Sequence, residues 1–348
     1  MSLIVDIKKQ LGTFTLRAQL QADGGALGLL GASGCGKSMT LKCIAGIETP
    51  DSGHIELDGV TLFDAKRHIC LPTQQRHVGY LFQSYALFPN MTVRKNILCG
   101  LHGERDRTRR ETEVERVAQL LQLNGLLEHK PHQLSGGQAQ RAALARILVS
   151  HPRLLMLDEP FSALDSHLRV RLQWELRELL AGLDQSTLLV THDRDEAYHL
   201  CGEIAVMDAG RILARKPIKV LFADPGSVRA AQITGCKNIT RARKTGEFEL
   251  EAPAWGMRLT TALPVPDDVE AVGIRAHYFN PKSGVNSAPI RLVDQMEEPF
   301  EWILTFRWEN QLDSSPALWW RVPKDKRPAQ FPQTLGISPA NVLPLREP

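Results

Sequence analysis

Lys37 and Ser38 close a glycine-rich run, Gly31-Ala32-Ser33-Gly34-Cys35-Gly36, and the pair suits work on phosphate. Glycine lets the backbone curl so that successive N–H groups point at phosphate oxygens. The Lys37 ammonium would neutralise the β- and γ-phosphates of a nucleotide, and the Ser38 hydroxyl would ligate Mg²⁺. Asp158 and Glu159 follow the apolar run Leu154-Leu155-Met156-Leu157, so two carboxylates sit at one strand end. Asp158 suits a Mg²⁺ contact, and Glu159 suits polarising an attacking water. Gln83 ends another apolar run, Val78-Gly79-Tyr80-Leu81-Phe82, where its amide could touch Mg²⁺ or that water. His192 follows the apolar run 187–190 and could hydrogen-bond a γ-phosphate. A second glycine pair lies in Leu134-Ser135-Gly136-Gly137-Gln138, just before a helical run. Ser135 is placed there as an N-cap, and the turn makes a second ready-made anion site. Cys35 lies beside Lys37, which predicts a reactive thiol.

These side chains need strands that end side by side. Residues 26–30 read as a buried strand leading into the first glycine run, and residues 39–45 read as the helix behind it. That helix brings partial positive charge and unpaired N–H donors to its start. Residues 4–8 and 15–21 read as strands joined by a turn, and 54–58 as a short strand. Phe14 lies upstream of the loop, and two roles stay open for it: core packing or stacking on a nucleotide base. Residues 93–128 are helical and rich in charges of both signs, which describes a solvated face rather than a nucleic-acid patch. Within them Val114, Val117, Ala118, Leu120 and Leu121 recur at helical spacing and should face a core. Carboxylates at the end of an apolar strand fit the place where parallel α/β sheets collect ligands.

The whole chain bounds the reading. Its 348 residues favour two or three domains. A net charge of +3 gives no case for nucleic acid. No apolar run is long enough to span a membrane. The first residues lack a basic stretch followed by an apolar one, so no secretory signal is expected. The six cysteines form no C-x-x-C pair, which argues against metal and disulfide frameworks and favours a reducing compartment.

Taken together, residues 1–233 resemble the ATP-binding subunit of ABC transporters. Gly31, Ser33, Gly34, Cys35, Gly36, Lys37, Ser38 and Met39 match the Walker A region, and Gln83 matches the Q-loop. Ser135, Gly136, Gly137 and Gln138 match the LSGGQ motif, and Asp158 and Glu159 match Walker B. Ser162 to Asp165 match the D-loop and His192 the switch histidine. Phe14 falls where the family places its base-stacking aromatic. The resemblance implies a P-loop NTPase fold of ABC type: a parallel core sheet, an antiparallel β subdomain and a helical subdomain at about 91–150. It implies ATP and Mg²⁺ as cofactors, with Ser38, Gln83 and Asp158 on the metal and Glu159, His192 and Gln83 as catalytic residues. It also implies a head-to-tail homodimer, in which Ser135-Gly136-Gly137 of one copy completes the Walker A site of the other.

The segment 84–93 is similar to the Q-loop region of bacterial solute importers. By that resemblance it receives a permease subunit at the cytoplasmic face of the inner membrane, with an extracytoplasmic solute-binding protein as an indirect partner. After Gly235 the composition shifts, and five of six tryptophans fall there. Residues 248–251 and 302–308 alternate as half-buried strands do. The expectation for 234–348 is a small all-β barrel resembling TOBE or Mop-like domains, for regulation or dimerisation. Its tryptophans would be core or dimer contacts, with a ligand cage as the other reading. Residues 234–239 look like the junction of subunits assigned to molybdate, tungstate or sulfate import, and Thr234, Lys237, Asn238 and Thr240 are candidate oxyanion donors. The leading expectation is thus an importer ATPase for molybdate or a related oxyanion. The alternatives are an importer ATPase for sulfate, polyamine, iron or sugar, and a soluble ABC ATPase outside transport.

Overall fold

The computed structural model describes residues 2–101, 103–162, 166–182, 186–328 and 330–347. The chain divides into two compact units, Met1–Ile218 and Lys219–Pro348.

The first unit is organised on one mixed sheet of eleven strands. In chain order these are β1 (Leu3–Leu11), β2 (Phe14–Ala22), β3 (Ala26–Leu30), β4 (Ser52–Leu57), β5 (Val60–Asp64), β6 (Ile69–Cys70), β7 (Val78–Leu81), β8 (Leu154–Asp158), β9 (Ser186–Thr191), β10 (Glu203–Asp208) and β11 (Arg211–Pro217). Their order across the sheet is β6-β5-β4-β1-β2-β11-β10-β3-β9-β8-β7. The β10-β3-β9-β8-β7 half is parallel, and the β6-β5-β4-β1-β2 half is antiparallel. Sequence pattern separates the halves. β8 and β9 are buried at every position, as a strand covered on both faces must be. β1 and β2 alternate buried and exposed along most of their length, as a sheet wet on one side does.

The inner face of β1 and β2 (Val5, Ile7, Leu16, Ala18) packs with Leu41 and Ile44 of α1 (Lys37–Ala45) in the unit's core. Helices α2 (Val93–Cys99), α3 (Arg107–Leu120) and α4 (Gly136–Leu148) pack on one another, as expected of a helical subdomain. Val114, Val117 and Ala118 of α3 are fully buried, whereas Leu120 is exposed. Helices α5 (Ser166–Ala181) and α6 (Arg194–Leu200) flank β9 in sequence.

Arg76 is a feature that hydrophobic periodicity does not announce. It is 1% exposed. Its guanidinium donates to the Cys43 and Ile44 carbonyls at 2.8 and 2.9 Å and to Leu71 O at 2.8 Å. It therefore satisfies carbonyls that the last turn of α1 leaves unpaired.

The second unit is all-β beyond its opening helices α7 (Ile218–Ala223) and α8 (Val228–Ile233). Its strands are β12 (Asn238–Arg241), β13 (Arg243–Gly246), β14 (Glu249–Ala252), β15 (Met257–Thr260), β16 (Ala271–Ile274), β17 (Phe279–Asn280), β18 (Ala288–Glu297), β19 (Glu301–Trp308), β20 (Leu318–Pro323), β21 (Thr334–Ile337) and β22 (Leu343–Leu345). They form three sheets: β12-β16-β22, β13-β14-β15 and β17-β21-β18-β19-β20. The unit boundary falls at 218/219, where the sequence reading placed it at 233/234. The reason is packing. Ala231 is buried with Cys236, Ala271, Leu343 and Leu345, and the Val228 N–H donates to Arg346 O at 2.9 Å.

Trp255, Trp308 and Trp320 are buried in the unit's larger core. Phe306 meets Phe279 and Trp308 edge-to-face, with ring centroids 5.0 and 5.2 Å apart. Trp319 is 39% exposed, so the core reading holds for most of the tryptophans and not for that one.

Two of the four candidate oxyanion donors, Thr234 and Asn238, are committed elsewhere. Thr234 is buried and its hydroxyl donates to Ala230 O and Ala231 O. Asn238 is buried, with Nδ2 on Ile274 O and Trp319 O and Oδ1 accepting from Trp319 N. Both side chains spend their polar atoms on the fold.

Candidate functional site

β7, β8, β9 and β3 are parallel neighbours. Their C-terminal ends therefore deliver four loops to one edge of the sheet: 82–92 after β7, the Asp158-Glu159 pair at β8, His192 after β9, and 31–36 after β3.

The loop after β3 needs its glycines. Gly36, the N-cap of α1, sits at φ 110°, which side chains rarely adopt. A Cβ on Gly31 would stand 2.2 Å from Met207 O. Lys37 is buried, and its ammonium reaches back along the loop to Gly31 O at 2.8 Å and Ala32 O at 2.9 Å. Glu159 Oε1 lies 4.0 Å from the same ammonium. Ser38 Oγ donates to Asp158 Oδ1 at 2.7 Å. Glu159 holds a left-handed backbone conformation at φ 46°, and its N–H is tied to Val190 O of β9 at 2.9 Å. A non-glycine residue pays in strain for that geometry, which is found where surrounding structure over-determines a functional side chain. Glu159 Oε2 stands 3.2 Å from His192 Nδ1. Lys37, Glu159 and His192 are thus linked by contacts, and their chain neighbours Ser38 and Asp158 pair beside them.

Two further residues join these contacts. Tyr80 OH donates to Asp158 Oδ2 at 2.7 Å, so each oxygen of Asp158 accepts a hydroxyl. Burial, followed by the Asp158 hydrogen bond, pushes the Tyr80 phenol well above its ordinary range, which keeps it a donor. Ser162 Oγ donates to Glu159 O at 3.0 Å and accepts from Gln83 Nε2 at 2.9 Å. Gln83, exposed on the loop after β7, therefore reaches the Glu159 backbone through Ser162. Sequence reasoning missed Tyr80, and it placed Ser162 in the D-loop by resemblance without assigning it these bonds. The parallel register that sets Tyr80 beside Met156 brings its strand against β8, and a tyrosine in a buried strand ending near a carboxylate was the available signal.

Phe14 and Met39 are half-buried and pack against the core of the unit. The Phe14 ring edge would lie 3.3 Å from a Cβ placed on Gly36, so the ring borders the loop. Ser33 and Gly34 are exposed. Cys35 is buried, and burial raises its thiol pKa against the opposing pull of Lys37. Burial and the raised pKa both run against the expectation of a reactive thiol. Asp165 lies outside the described residues.

The second glycine pair does not meet these residues. Gly136 and Gly137 form the first turn of α4 instead of a loop before it. Ser135 is its N-cap, and Ser135 and Gln138 close a capping box with bonds of 3.3 and 2.9 Å. Among the described residues, the side-chain bonds of Ser135 and Gln138 stay within this turn. Ser135 and Gly136 are exposed, while a Cβ on the buried Gly137 would press on Leu172 at 2.9 Å.

The donor set fits a nucleotide with a hard divalent cation. An ammonium and a glycine loop at a helix start suit phosphate oxygens. The Ser38–Asp158 pair offers oxygen ligands, as Mg²⁺ requires. Among the described residues there is no group of three or more His, Cys, Asp or Glu that could hold a metal alone. Mg²⁺ bound by one or two protein oxygens plus phosphates is compatible with that. The segment 84–93 is shaped from within: Asn96 bonds Phe88 N, Phe88 O, Met91 O and Thr92 O. Arg146 bonds the Tyr85 and Ala86 carbonyls and stacks over Phe88. Phe88 and Met91 are left exposed.

Comparison with known proteins agrees with this geometry. Residues 17–162 match the family model described as ABC transporter. An Fe(3+) ions import ATP-binding protein of Haemophilus influenzae is 44% identical over 61% of this chain, and the match spans 60% of that protein's length. A probable sulfate/thiosulfate import ATP-binding protein of Chlorella vulgaris is 41% identical over 68% of this chain and 99% of its own length. A molybdenum import ATP-binding protein of Paramagnetospirillum magneticum is 37% identical over 64% of this chain and 61% of its own. Among solved structures, a post-hydrolysis dimer of an ATP-binding cassette with ADP and Pi bound has a TM-score of 0.52 at 25% identity, covering 63% of this chain and 99% of that one. No helix among the described residues is long and apolar enough to cross a membrane. The phosphate loop, the carboxylate pair beside it and these relatives lead to one assignment: the chain belongs to the ABC transporter family of ATP-binding proteins.

Proposed function

We propose that this chain is the ATP-hydrolysing subunit of a membrane importer. The observation that carries the reading is the convergence of Lys37, Ser38, Asp158, Glu159 and His192 at one sheet edge. ATP bound with Mg²⁺ supplies the phosphoanhydride to be hydrolysed. Lys37 would hold phosphate oxygens by charge-assisted hydrogen bonds, and Ser38 and Asp158, with Gln83, would hold the cation. Glu159 would polarise the attacking water, and His192 holds the Glu159 carboxylate in place. Phe14 would border the base, and Gly31, Ser33, Gly34, Cys35, Gly36 and Met39 would shape the loop around the phosphates.

The exposed start of α4 carries the partner half of the proposal. Ser135, Gly136, Gly137 and Gln138 would close on the phosphate loop of a second copy. Closure of that homodimer would drive a permease seated on 84–93, at the cytoplasmic face of the membrane, with a solute-binding protein acting through it. The dimeric cassette among the structural relatives supports this arrangement.

For the solute, an oxyanion of the molybdate–sulfate class is the reading we carry forward. It rests on the sulfate and molybdenum import relatives and no longer on Thr234 or Asn238. Relatives named for iron and for spermidine and putrescine, each 44% identical, supply the alternatives. The second unit would serve as a TOBE-like regulatory or dimerisation domain. Calorimetric titration of the protein with molybdate, tungstate and sulfate separates the solute readings. Steady-state ATP hydrolysis tests the enzyme reading: Glu159→Gln should lower turnover on the order of a hundredfold or more while ATP binding persists. Unchanged turnover would remove Glu159 from its role.

A further inference from the structure

The outer face of the antiparallel half-sheet carries three cations that the nucleotide site does not use. Lys8 on β1 lies directly opposite Arg17 on β2. Arg17 pairs in turn with Arg211 at the start of β11, where the Arg17 N–H donates to Gly210 O at 2.6 Å. All three side chains are exposed, and none makes an ion pair or side-chain hydrogen bond with the described residues. Several other surface arginines are paired: Arg94 with Glu111 and Glu128, Arg215 with Glu203, Arg243 with Glu251 and Arg321 with Glu298 and Glu301. Like charges set directly opposite on paired strands are destabilising. Here three stand at paired register positions on three adjacent strands.

They also share a concavity of about 500 Å³. Its remaining polar lining is Asp6, Gln19 and Ser52, and Gly53 leaves part of the floor without a side chain. The one carboxylate, Asp6, already accepts from the Gln19 amide at 3.3 Å. Strand alternation puts this hollow on the face opposite the nucleotide loop. Leu16 and Ala18 of β2 point into the core with α1, so Arg17 and Gln19 point away from it.

We propose that this hollow is a binding site for an oligophosphate anion, held by Lys8, Arg17 and Arg211 and separate from the phosphate loop. Guanidinium forks match phosphoryl oxygens bidentately, and lysine adds a mobile point charge. With neighbouring strands about 4.8 Å apart, the row of cations spans roughly 10 Å of backbone, which long side chains close around linked phosphoryl groups. The lining holds no aromatic ring to stack on a base, so a single-stranded nucleic acid is a poor fit. The three strands lie inside the sheet, so no free edge is offered to an acidic peptide. The proposal does not depend on the transport reading.

The test is calorimetric titration of the full chain with inorganic tripolyphosphate at constant ionic strength. The phosphate loop is taken out of play twice over: by Lys37→Ala, and by loading the wild type with one molar equivalent of a non-hydrolysable ATP analogue, too little for its triphosphate to fill a second site. One tripolyphosphate site should persist under both conditions. Combining Arg17→Gln with Arg211→Gln should weaken it about tenfold or more, and Arg17→Gln alone should give part of that loss if the double variant folds poorly. ATP hydrolysis by the double variant should match the wild type. Loss of all tripolyphosphate binding when the loop is blocked, or binding unmoved by the arginine changes, overturns the proposal. So does arginine-dependent binding to phosphatidylglycerol vesicles without binding to tripolyphosphate, which would assign the face to a membrane surface.

Discussion

Asp158 is held from both sides, by Ser38 on Oδ1 and by Tyr80 on Oδ2. If Asp158 is to meet a cation, Tyr80 fixes the direction in which it does so. Tyr80→Phe removes one hydroxyl and keeps the ring, which packs against Phe82 at 4.4 Å. The expected result is a several-fold weaker Mg²⁺ requirement curve for ATP binding, in line with about 1 kcal/mol for one hydrogen bond. ATP affinity measured by calorimetry in EDTA should stay unchanged. An unaltered Mg²⁺ curve would reduce Tyr80 to packing. Cys35 gives a second residue-level prediction. Because burial raises its thiol pKa, iodoacetamide at neutral pH should label the exposed Cys70 and Cys99 well before Cys35, as mass spectrometry of timed aliquots would read. Most of the site was legible at this scale. Lys37, Ser38, Asp158, Glu159 and His192 are chemical types at strand ends, which a sequence displays directly. Tyr80 was not legible, because its role depends on cross-strand register, and Ser162, named only by resemblance, owes its bonds to a turn geometry that single-residue types do not encode.

Elements were legible where one physical signal dominated. The fully apolar runs became β8 and β9, and Ser135 became the N-cap of α4. The α4 start was misjudged because glycine weakens helix propensity, yet the Ser135–Gln138 capping box carries the helix through Gly136 and Gly137. Arg76 was invisible, since a buried arginine without a carboxylate partner runs against residue preference. Its three carbonyl partners at the end of α1 and at Leu71 explain it. Arg76→Leu should strand those carbonyls and destabilise the protein by about 2–5 kcal/mol, measured as a shift of the urea midpoint. A neutral effect would mean that water satisfies them instead. In the second unit, Asn238→Ala should act similarly, since it removes three hydrogen bonds that join β12 to Ile274 and Trp319.

At the level of the whole molecule, the chain carries one phosphate loop and one exposed α4 start, and within one copy the two do not share contacts. Two copies arranged head to tail would supply the missing contact twice, once at each nucleotide. Sequence reading reached this arrangement through resemblance, and the fold is compatible with it: Ser135 and Gly136 are exposed at the start of a helix. The division of the chain into units was less legible, because α8 reads as a linker helix until Ala231 is seen packed with Ala271 and Leu345. The most direct test of the account is the molar mass of Glu159→Gln by light scattering, with and without ATP and Mg²⁺. Slowed hydrolysis should leave the closed state populated, so the account predicts a monomer of 38.8 kDa without nucleotide and twice that mass with it. A mass that stays at one copy with ATP bound would contradict the head-to-tail site on which the proposed function stands.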